Sequence, residues 1–173
     1  MEQEIQFSVG QWIVHSQYGV GQIKKIEVMP IHGEKTECFM VHVNDGVFWF
    51  PTDTVENPRI RPVASQEIIT KVIRNLRRKP GNLEKGKKYW TIRIKEVPSD
   101  NDLLTISQLI RDLSAQQSQK RLNDSQVRAL SQYKERLIHE WAAITGTDIE
   151  EIRPEINSYI RESKAKIMKN EIS

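Results

Sequence analysis

Residues 81–88, GNLEKGKK, have almost the spacing of glycines and lysine that binds phosphates in a P-loop. The last position of that motif needs Ser or Thr to hold magnesium, but here it is Lys88. A P-loop also follows a buried strand, whereas this segment follows an expected helix and Pro80. We therefore interpret the segment as a flexible basic loop, and a nucleotide-dependent enzyme remains a distant alternative.

Other catalytic patterns in the chain are incomplete. Residues 19–21 lack the third glycine of a dinucleotide-binding motif, because the next required position holds Lys24. His139 and Glu140 lack the second histidine of a zinc-binding helix, because that position holds Ala143. We find no pairing of a nucleophile with a base. The sequence therefore predicts a protein that is not an enzyme and that needs no metal or cofactor.

The composition favours a cytoplasmic protein. Cys38 is the only cysteine, so no internal disulfide can form, which fits a reducing compartment. The acidic N-terminus does not resemble a signal peptide, and no stretch approaches the roughly 18 apolar residues of a membrane helix. We expect a soluble monomer.

Charge is distributed unevenly along the chain. Residues 71–95 carry ten basic residues and one acidic residue, Glu84, so this window has a net charge of +9 in a chain of net charge +3. Such a local excess is the electrostatic footprint of a protein that meets a polyanion. Lys71, Arg74 and Arg78 lie on one side of an expected helix. A solvated helix face is the alternative, although mixed signs serve solubility better.

Aromatic residues stand inside this basic window. In the segment KGKKYWTIRIK, residues 85–95, Trp90 is the candidate to stack on a base or to wedge into a minor groove, with Tyr89 as second choice. The alternative is that Trp90 packs in the helical core, as tryptophan in a helix usually does. We favour exposure, because lysines around a fully buried residue would have to extend outward to water.

The elements that must position these residues fall into two halves. Residues 9–56 read as five short strands with a tight turn at 44–46, which predicts a small, strongly bent barrel. Residues 57–63 contain two prolines and read as a connector. From Ser65 onward apolar residues recur at helical spacing, which predicts a compact bundle of four or five helices with Trp141 in its core.

Several helix ends are expected from their residue types. Pro98 should close a short helix over 88–97, and Ser99 or Asp100 should cap the next helix. Asn123 or Asp124 should begin the longest helix, Gly146 should end it, Thr147 should open a capping box, and Pro154 should break or kink the last segment.

Several motifs of the chain, in their order and spacing, resemble those of the CarD family. In the N-terminal half the resemblance is carried by the motifs Phe7-x-Val-Gly10, His15-x-x-Tyr-Gly-Val-Gly21, Gly33-Glu-Lys and a strand ending at Pro51. In the helical half it is carried by Trp90-x-x-Arg93-x-Lys95. The resemblance implies an α+β fold with a Tudor-like or SH3-like barrel over residues 1–60 and a helical DNA-binding domain over residues 61–173.

The resemblance also implies a function. In the family, the barrel binds the RNA polymerase β subunit, and the second domain binds double-stranded promoter DNA at the upstream edge of the transcription bubble. A tryptophan wedged in the minor groove then stabilises the open complex. Carried onto this sequence, the wedge is Trp90, and the phosphate contacts fall on Lys87, Lys88, Arg93 and Lys95. Arg78, on the basic side of the first expected helix, is a further predicted DNA contact.

The chain departs from the family pattern at three positions. Met29 and Trp49 occupy barrel positions where relatives often have basic residues, and Ile92 replaces a basic residue after the wedge. Trp49 stands between Phe48 and Phe50, so one face of its strand exposes large aromatics unless both faces are covered. We place Met29, Trp49 and Phe39 at the polymerase-binding surface. A nucleic-acid-binding module unrelated to polymerase remains the main alternative.

Overall fold

The computed structural model of the chain describes residues 6–54, 57–81 and 83–168, and it divides into two compact units between Val63 and Ala64. The first unit is built from strands and the second from helices. This division matches the change from alternating to helical periodicity in the sequence.

The first unit is a five-stranded antiparallel sheet with the order β4-β3-β2-β1-β5. Its strands are β1 (Trp12–His15), β2 (Gly19–Ile31), β3 (Glu34–Val43), β4 (Gly46–Pro51) and β5 (Ile60–Pro62). The tight turn before Gly46 is confirmed, but only four of the five strands expected within residues 9–56 lie there in the described structure, because β5 falls in residues 57–63.

A glycine inside β2 permits a close approach between neighbouring strands. A Cβ atom at Gly21 would lie 2.7 Å from the Val41 side chain and 2.8 Å from the His42 carbonyl oxygen. Only glycine fits at such a separation. Two residues further on, the register between β2 and β3 shifts between Ile23 and Lys25, which is the signature of a β-bulge. Both features increase the bending of the sheet.

The connector expected at residues 57–63 is partly wrong, because Ile60–Pro62 forms β5 and pairs with β1 at the edge of the sheet. An edge strand tolerates Pro62, because the side without a neighbour needs no N–H donor.

The second unit contains five helices in its described residues. They are α1 (Gln66–Arg77), α2 (Lys87–Asp100), α3 (Leu103–Gln119), α4 (Asp124–Thr145) and α5 (Ile149–Met168). Helices α3, α4 and α5 pack on one another, α1 packs on all three, and α2 packs on α3 and α4. Trp141 lies in the shared core, as predicted.

Two expected helix ends of the long helix α4 are confirmed. The Asn123 side chain accepts a hydrogen bond from the Gln126 N–H at 2.9 Å, and the Gln126 side chain accepts one from the Asn123 N–H at 3.0 Å, which is a capping box. Gly146 ends the helix in the left-handed conformation with φ of 71°.

Other expected helix ends are wrong. Helix α2 continues through Pro98 and ends at Asn101, whose left-handed backbone and N–H bond to the Val97 carbonyl, at 2.8 Å, close it. The N-cap of α3 is Asp102, so neither Ser99 nor Asp100 caps it.

The last helix also differs from expectation at its beginning. The Asp148 side chain, and not that of Thr147, accepts the Glu150 N–H at 2.8 Å at the start of α5. The helix continues through Pro154, which lies in its second turn and removes one intrahelical N–H donor without ending the helix.

Candidate nucleic-acid interface

Trp90 is buried, and the prediction that its ring stands exposed in the basic surface is wrong. The side chain is 2% exposed and belongs to the apolar core of the helical unit. Tyr89 packs edge-on against its ring at a centroid distance of 5.4 Å. The Trp90 indole N–H has no hydrogen-bond acceptor among the described residues. Trp90 therefore anchors α2 to the core through apolar burial.

The neighbouring basic residues did not reveal this burial, because successive residues of a helix point in directions about 100° apart. Lys87, Lys88 and Lys95 are exposed while Trp90 faces the core. Exposed lysines beside a tryptophan in a helix therefore do not indicate that the tryptophan is exposed.

Arg93 is held by an acidic partner, so its predicted role as a phosphate contact is weakened. Its guanidinium pairs with Asp112 at 2.8 Å and lies over the Tyr89 and Trp90 rings, 5.7 and 5.5 Å from their centroids. Only a fifth of the Arg93 side chain is exposed. Arg93 therefore attaches α2 to α3, and little of its charge is accessible to a partner.

Asp112 is the residue that sequence reasoning missed. Its carboxylate accepts hydrogen bonds from Arg93, from Arg111 at 2.7 Å and from the Gly81 N–H at 3.0 Å. Burial alone would raise the pKa of Asp112, but the bonds from Arg111, Gly81 and Arg93 outweigh it and lower the pKa. This buried anion joins the basic loop and α2 to α3.

The exposed part of α2, together with Lys85 in the preceding loop, forms a cationic surface. We call it the α2 surface and define it as Lys85, Lys87, Lys88, Tyr89 and Lys95. Tyr89 is 38% exposed, and the Lys85 ammonium lies 5.7 Å from its ring centroid. The Tyr89 hydroxyphenyl group is thus an accessible aromatic surrounded by positive charge, which is the arrangement first expected of Trp90.

The beginning of α2 is unusual for a helix. Its N-cap is Gly86, which offers no side-chain cap, and its first turn has no acidic residue but carries Lys87 and Lys88. The N-terminus of a helix is its positive end, where cations are unfavourable by about 0.3–1 kcal/mol each and anions are favoured. The uncapped N–H groups and the two lysines together are suited to bind a phosphate group.

The loop that resembled a P-loop joins α1 to α2, so no strand precedes it. Position 82 lies outside the described residues. This geometry does not support a nucleotide-dependent enzyme, because a P-loop connects a strand to a helix. Arg78, another predicted contact, is exposed at the C-terminal end of α1.

The barrel residues predicted to meet a partner divide between the two faces of the sheet. Trp49, 41% exposed, and Lys25 are both cross-strand partners of Met40, and Met29 lies four residues beyond Lys25 on the same face. The Trp49 indole N–H donates to Glu27 at 3.0 Å, and Lys25 forms an ion pair with that carboxylate. The hydrogen bonds from Lys25 and Trp49 lower the pKa of Glu27.

Phe39 faces the other way, so its placement at the partner surface is wrong. It is 6% exposed, pairs across strands with Phe50, and packs with Ile13, Ile23 and Phe50 in the barrel core. The period-two alternation of β3 explains the difference, because Phe39 and Met40 must point to opposite faces.

A five-stranded antiparallel unit followed by five helices agrees with a Tudor-like β domain joined to a helical domain. Residues 7–64 match the CarD-like/TRCF RID domain, and residues 71–157 match the CarD C-terminal domain. The two matches together span most of the chain, so the protein belongs to the CarD family.

Membership of this family makes the chain a transcription-associated regulator that interacts with RNA polymerase, and proteins of the family are not enzymes. The alternative of a nucleic-acid module unrelated to polymerase loses support accordingly. None of the described helices has the length and apolar character needed to cross a membrane.

Proposed function

We propose that this protein binds the β subunit of RNA polymerase through the barrel face around Trp49 and binds promoter DNA through the α2 surface, and thereby stabilises the open promoter complex. The observation that carries the DNA-binding part is the beginning of α2, where Lys87 and Lys88 stand at the positive end of an uncapped helix. Such an arrangement costs folding free energy and is favourable when a phosphate is bound.

The wedge role is not assigned to Trp90, because its ring is sealed in the helical core. We assign the aromatic contact to Tyr89, whose ring is exposed beside Lys85 and between the lysines of the α2 surface. Unstacking a base step costs about a few kcal/mol, and the cost falls where the strands are already parting. Tyr89 therefore acts at the upstream edge of the bubble.

Stabilisation of the open complex follows from differential binding. A protein that binds only the open form shifts the equilibrium by its affinity for that form and by nothing more. Attachment to polymerase through the barrel raises the local concentration of the α2 surface near the bubble, so weak contacts suffice. Lysine contacts to phosphates are independent of sequence, so this function needs no preferred base sequence.

The barrel face offers both apolar and polar contacts. Trp49 and Met40 are neighbours across β3 and β4, and Glu27 fixes the indole N–H. A large, exposed aromatic ring on such a face is typical of a binding hot spot. Met29 and Trp49 occupy positions that are often basic in relatives, so we expect the contact with polymerase to be more apolar in this chain.

The decisive experiment measures the lifetime of open promoter complexes after a competitor is added, with RNA polymerase and the full chain. The double variant Lys87→Ala/Lys88→Ala should lose the gain in lifetime. The matched control is Lys120→Ala/Arg121→Ala, which removes the same charge from exposed residues between α3 and α4 and should keep the gain. An unchanged lifetime with Lys87→Ala/Lys88→Ala would refute the assignment of the α2 surface.

A further inference from the structure

A second basic surface lies where the C-terminal end of α1 meets α5. It includes Arg78, which the sequence already predicted to contact DNA, and it lies outside the α2 surface. A cleft of about 400 Å³ opens there, and its charged lining consists of Arg74, Arg77, Arg78 and Lys166. We call it the α1–α5 cleft. Among its lining residues no carboxylate is present, although four cationic side chains surround it.

Cations at the C-terminal end of a helix usually stabilise the negative pole of the helix dipole, which is the simplest alternative role for the cleft residues. The last carbonyls of α1 already have donors from other residues. Arg111 donates to the Asn75 carbonyl at 3.3 Å, Lys166 donates to the Arg77 carbonyl, and the Ser163 hydroxyl donates to the Arg78 carbonyl at 2.5 Å. The guanidinium groups of Arg74 and Arg78 are therefore not needed to cap the helix.

The four cations of the cleft are not equivalent. Arg77 is held by Glu162 at 2.7 Å and lies 5.8 Å from the Tyr159 ring centroid. In contrast, Arg74 and Arg78 form no ion pair among the described residues, and both are exposed. The guanidinium groups of Arg74 and Arg78 are thus exposed, beside the Lys166 ammonium, around a cleft whose lining residues include no carboxylate.

The cleft is also rigidly built. Ser163, which is 1% exposed, and Lys166 attach α5 to the end of α1. Arg111 connects the end of α1 to Asp112, and Asp112 holds both the Gly81 loop and Arg93 of α2. The α1–α5 cleft and the α2 surface are therefore attached to the same pair of residues on α3.

From these contacts we infer that the α1–α5 cleft binds the phosphate backbone of duplex DNA, as a second contact beside the α2 surface. This inference rests on the proposed DNA-binding function and extends its footprint. Guanidinium groups bind phosphate oxygens through paired N–H donors, and a duplex offers phosphates in a continuous row. Arg74, Arg78 and Lys166 supply affinity without base recognition, because phosphates carry no sequence information.

The test compares three full-length variants by the anisotropy of a labelled DNA duplex over a range of salt concentrations. Arg74→Ala/Arg78→Ala removes the cleft, Lys87→Ala/Lys88→Ala removes the α2 contact, and Lys120→Ala/Arg121→Ala is the charge-matched control. Loss of two phosphate contacts should make the slope of log K against log salt shallower by about 1.8. We expect the cleft variant to bind about tenfold or more weakly with this shallower slope, and the control to bind within about twofold of the unmodified chain.

The outcomes separate the inference from the function on which it rests. If the α2 variant weakens binding while the cleft variant equals the control, the α1–α5 cleft is refuted and the proposed function stands. Weakening by the cleft variant alone supports the cleft and refutes the α2 assignment. An unmodified chain that does not bind the duplex overturns both. Thermal unfolding of each variant confirms that the substitutions leave the fold intact.

A parallel arm tests a free phosphorylated molecule as the occupant. Sodium triphosphate is titrated against the unmodified chain and the cleft variant in the absence of DNA. We expect no saturable binding below millimolar concentrations. Tight binding of triphosphate that disappears in Arg74→Ala/Arg78→Ala, together with unchanged duplex affinity, would show that the cleft holds a small anion instead of DNA.

Discussion

Trp49 and Trp90 are both flanked by residues that drew attention to function, yet the structure places one on a surface and the other in a core. Trp49 is 41% exposed on a strand whose neighbours point to the opposite face. Trp90 is 2% exposed on a helix whose basic neighbours point to solvent. In a strand, adjacent side chains point to opposite faces, so the burial of one predicts the exposure of the next. In a helix, adjacent side chains point in directions about 100° apart, so the exposure of one does not predict the burial of the next.

The largest expected effect separates the two tryptophans by stability. Trp90→Ala should lower the free energy of unfolding by about 3–5 kcal/mol, because it leaves a cavity under α2. Trp49→Ala should lower it by less than about 1 kcal/mol, because half-exposed side chains contribute less burial. Urea unfolding followed by circular dichroism measures both. Similar losses of unfolding free energy for the two variants would contradict the placement of Trp90 in the core and of Trp49 on the surface.

The second effect concerns the anion that holds α2. Asp112→Asn should cost about 2–4 kcal/mol at neutral pH, somewhat below a fully buried ion pair because Arg93 is partly exposed. The folded-state pKa of Asp112 is lowered, so its contribution is present above the ordinary carboxyl pKa of 3.8 and is lost as pH falls through the lower folded value.

The pH dependence provides the control for that substitution. The difference in unfolding free energy between Asp112→Asn and the unmodified chain should be largest at neutral pH and should shrink in acid, as the pH falls below the ordinary carboxyl pKa of 3.8 and through the lower folded value. Urea unfolding at several pH values measures it. A difference that stays constant down to acid would mean that the lost interaction is not carried by the ionised carboxylate.

The third effect tests Trp49 as a contact and not as a core residue. Trp49→Ala should weaken binding to RNA polymerase by roughly tenfold to thirtyfold, the loss typical of an aromatic hot spot. Trp12→Ala is the matched control, because Trp12 is equally exposed, at 40%, but lies on β1, which β2 and β3 separate from β4. Biolayer interferometry with immobilised polymerase measures both affinities. Equal losses would indicate that Trp49 has no special role.

The smallest effect refines the α2 surface. Lys95→Ala should weaken duplex binding a few-fold and make the slope of log K against log salt shallower by about 0.9, the value for one phosphate contact. Lys120→Ala should change neither quantity appreciably. Titrations at four salt concentrations measure the slope. A lower affinity with an unchanged slope would mean that Lys95 acts by some means other than a phosphate contact.

Much of the fold could be predicted from the sequence. The alternation of residues 9–56 and the turn before Gly46 identified four strands, and the apolar period after Ser65 identified the bundle. The fifth strand, Ile60–Pro62, was missed because the two prolines of residues 57–63 indicated a connector. Helix ends were harder, since several Ser, Thr and Asp residues competed for each cap. Asp102 and Asp148 prevailed because their side chains reach the N–H groups two or three residues ahead.

The candidate site was predicted only in part. The local excess of positive charge identified the α2 surface, and period-two alternation identified the exposed face of Trp49. Phe39 could have been excluded by the same alternation, because Met40 takes the opposite face. The role of Asp112 was hidden, because its partners Gly81 and Arg93 lie 31 and 19 residues away in the chain. Lysines in the first turn of a helix were a visible signal that went unused.

The central claim is that Trp90 supports α2 from within while Tyr89 and its lysines act on DNA. Open-complex lifetimes with polymerase and the full chain test it directly when Tyr89→Ala is compared with Trp90→Phe. The account predicts that Trp90→Phe, which keeps an aromatic core residue, retains the longer lifetime, and that Tyr89→Ala loses it. A stably folded Trp90→Phe variant that loses the effect, beside a Tyr89→Ala variant that keeps it, would contradict the account.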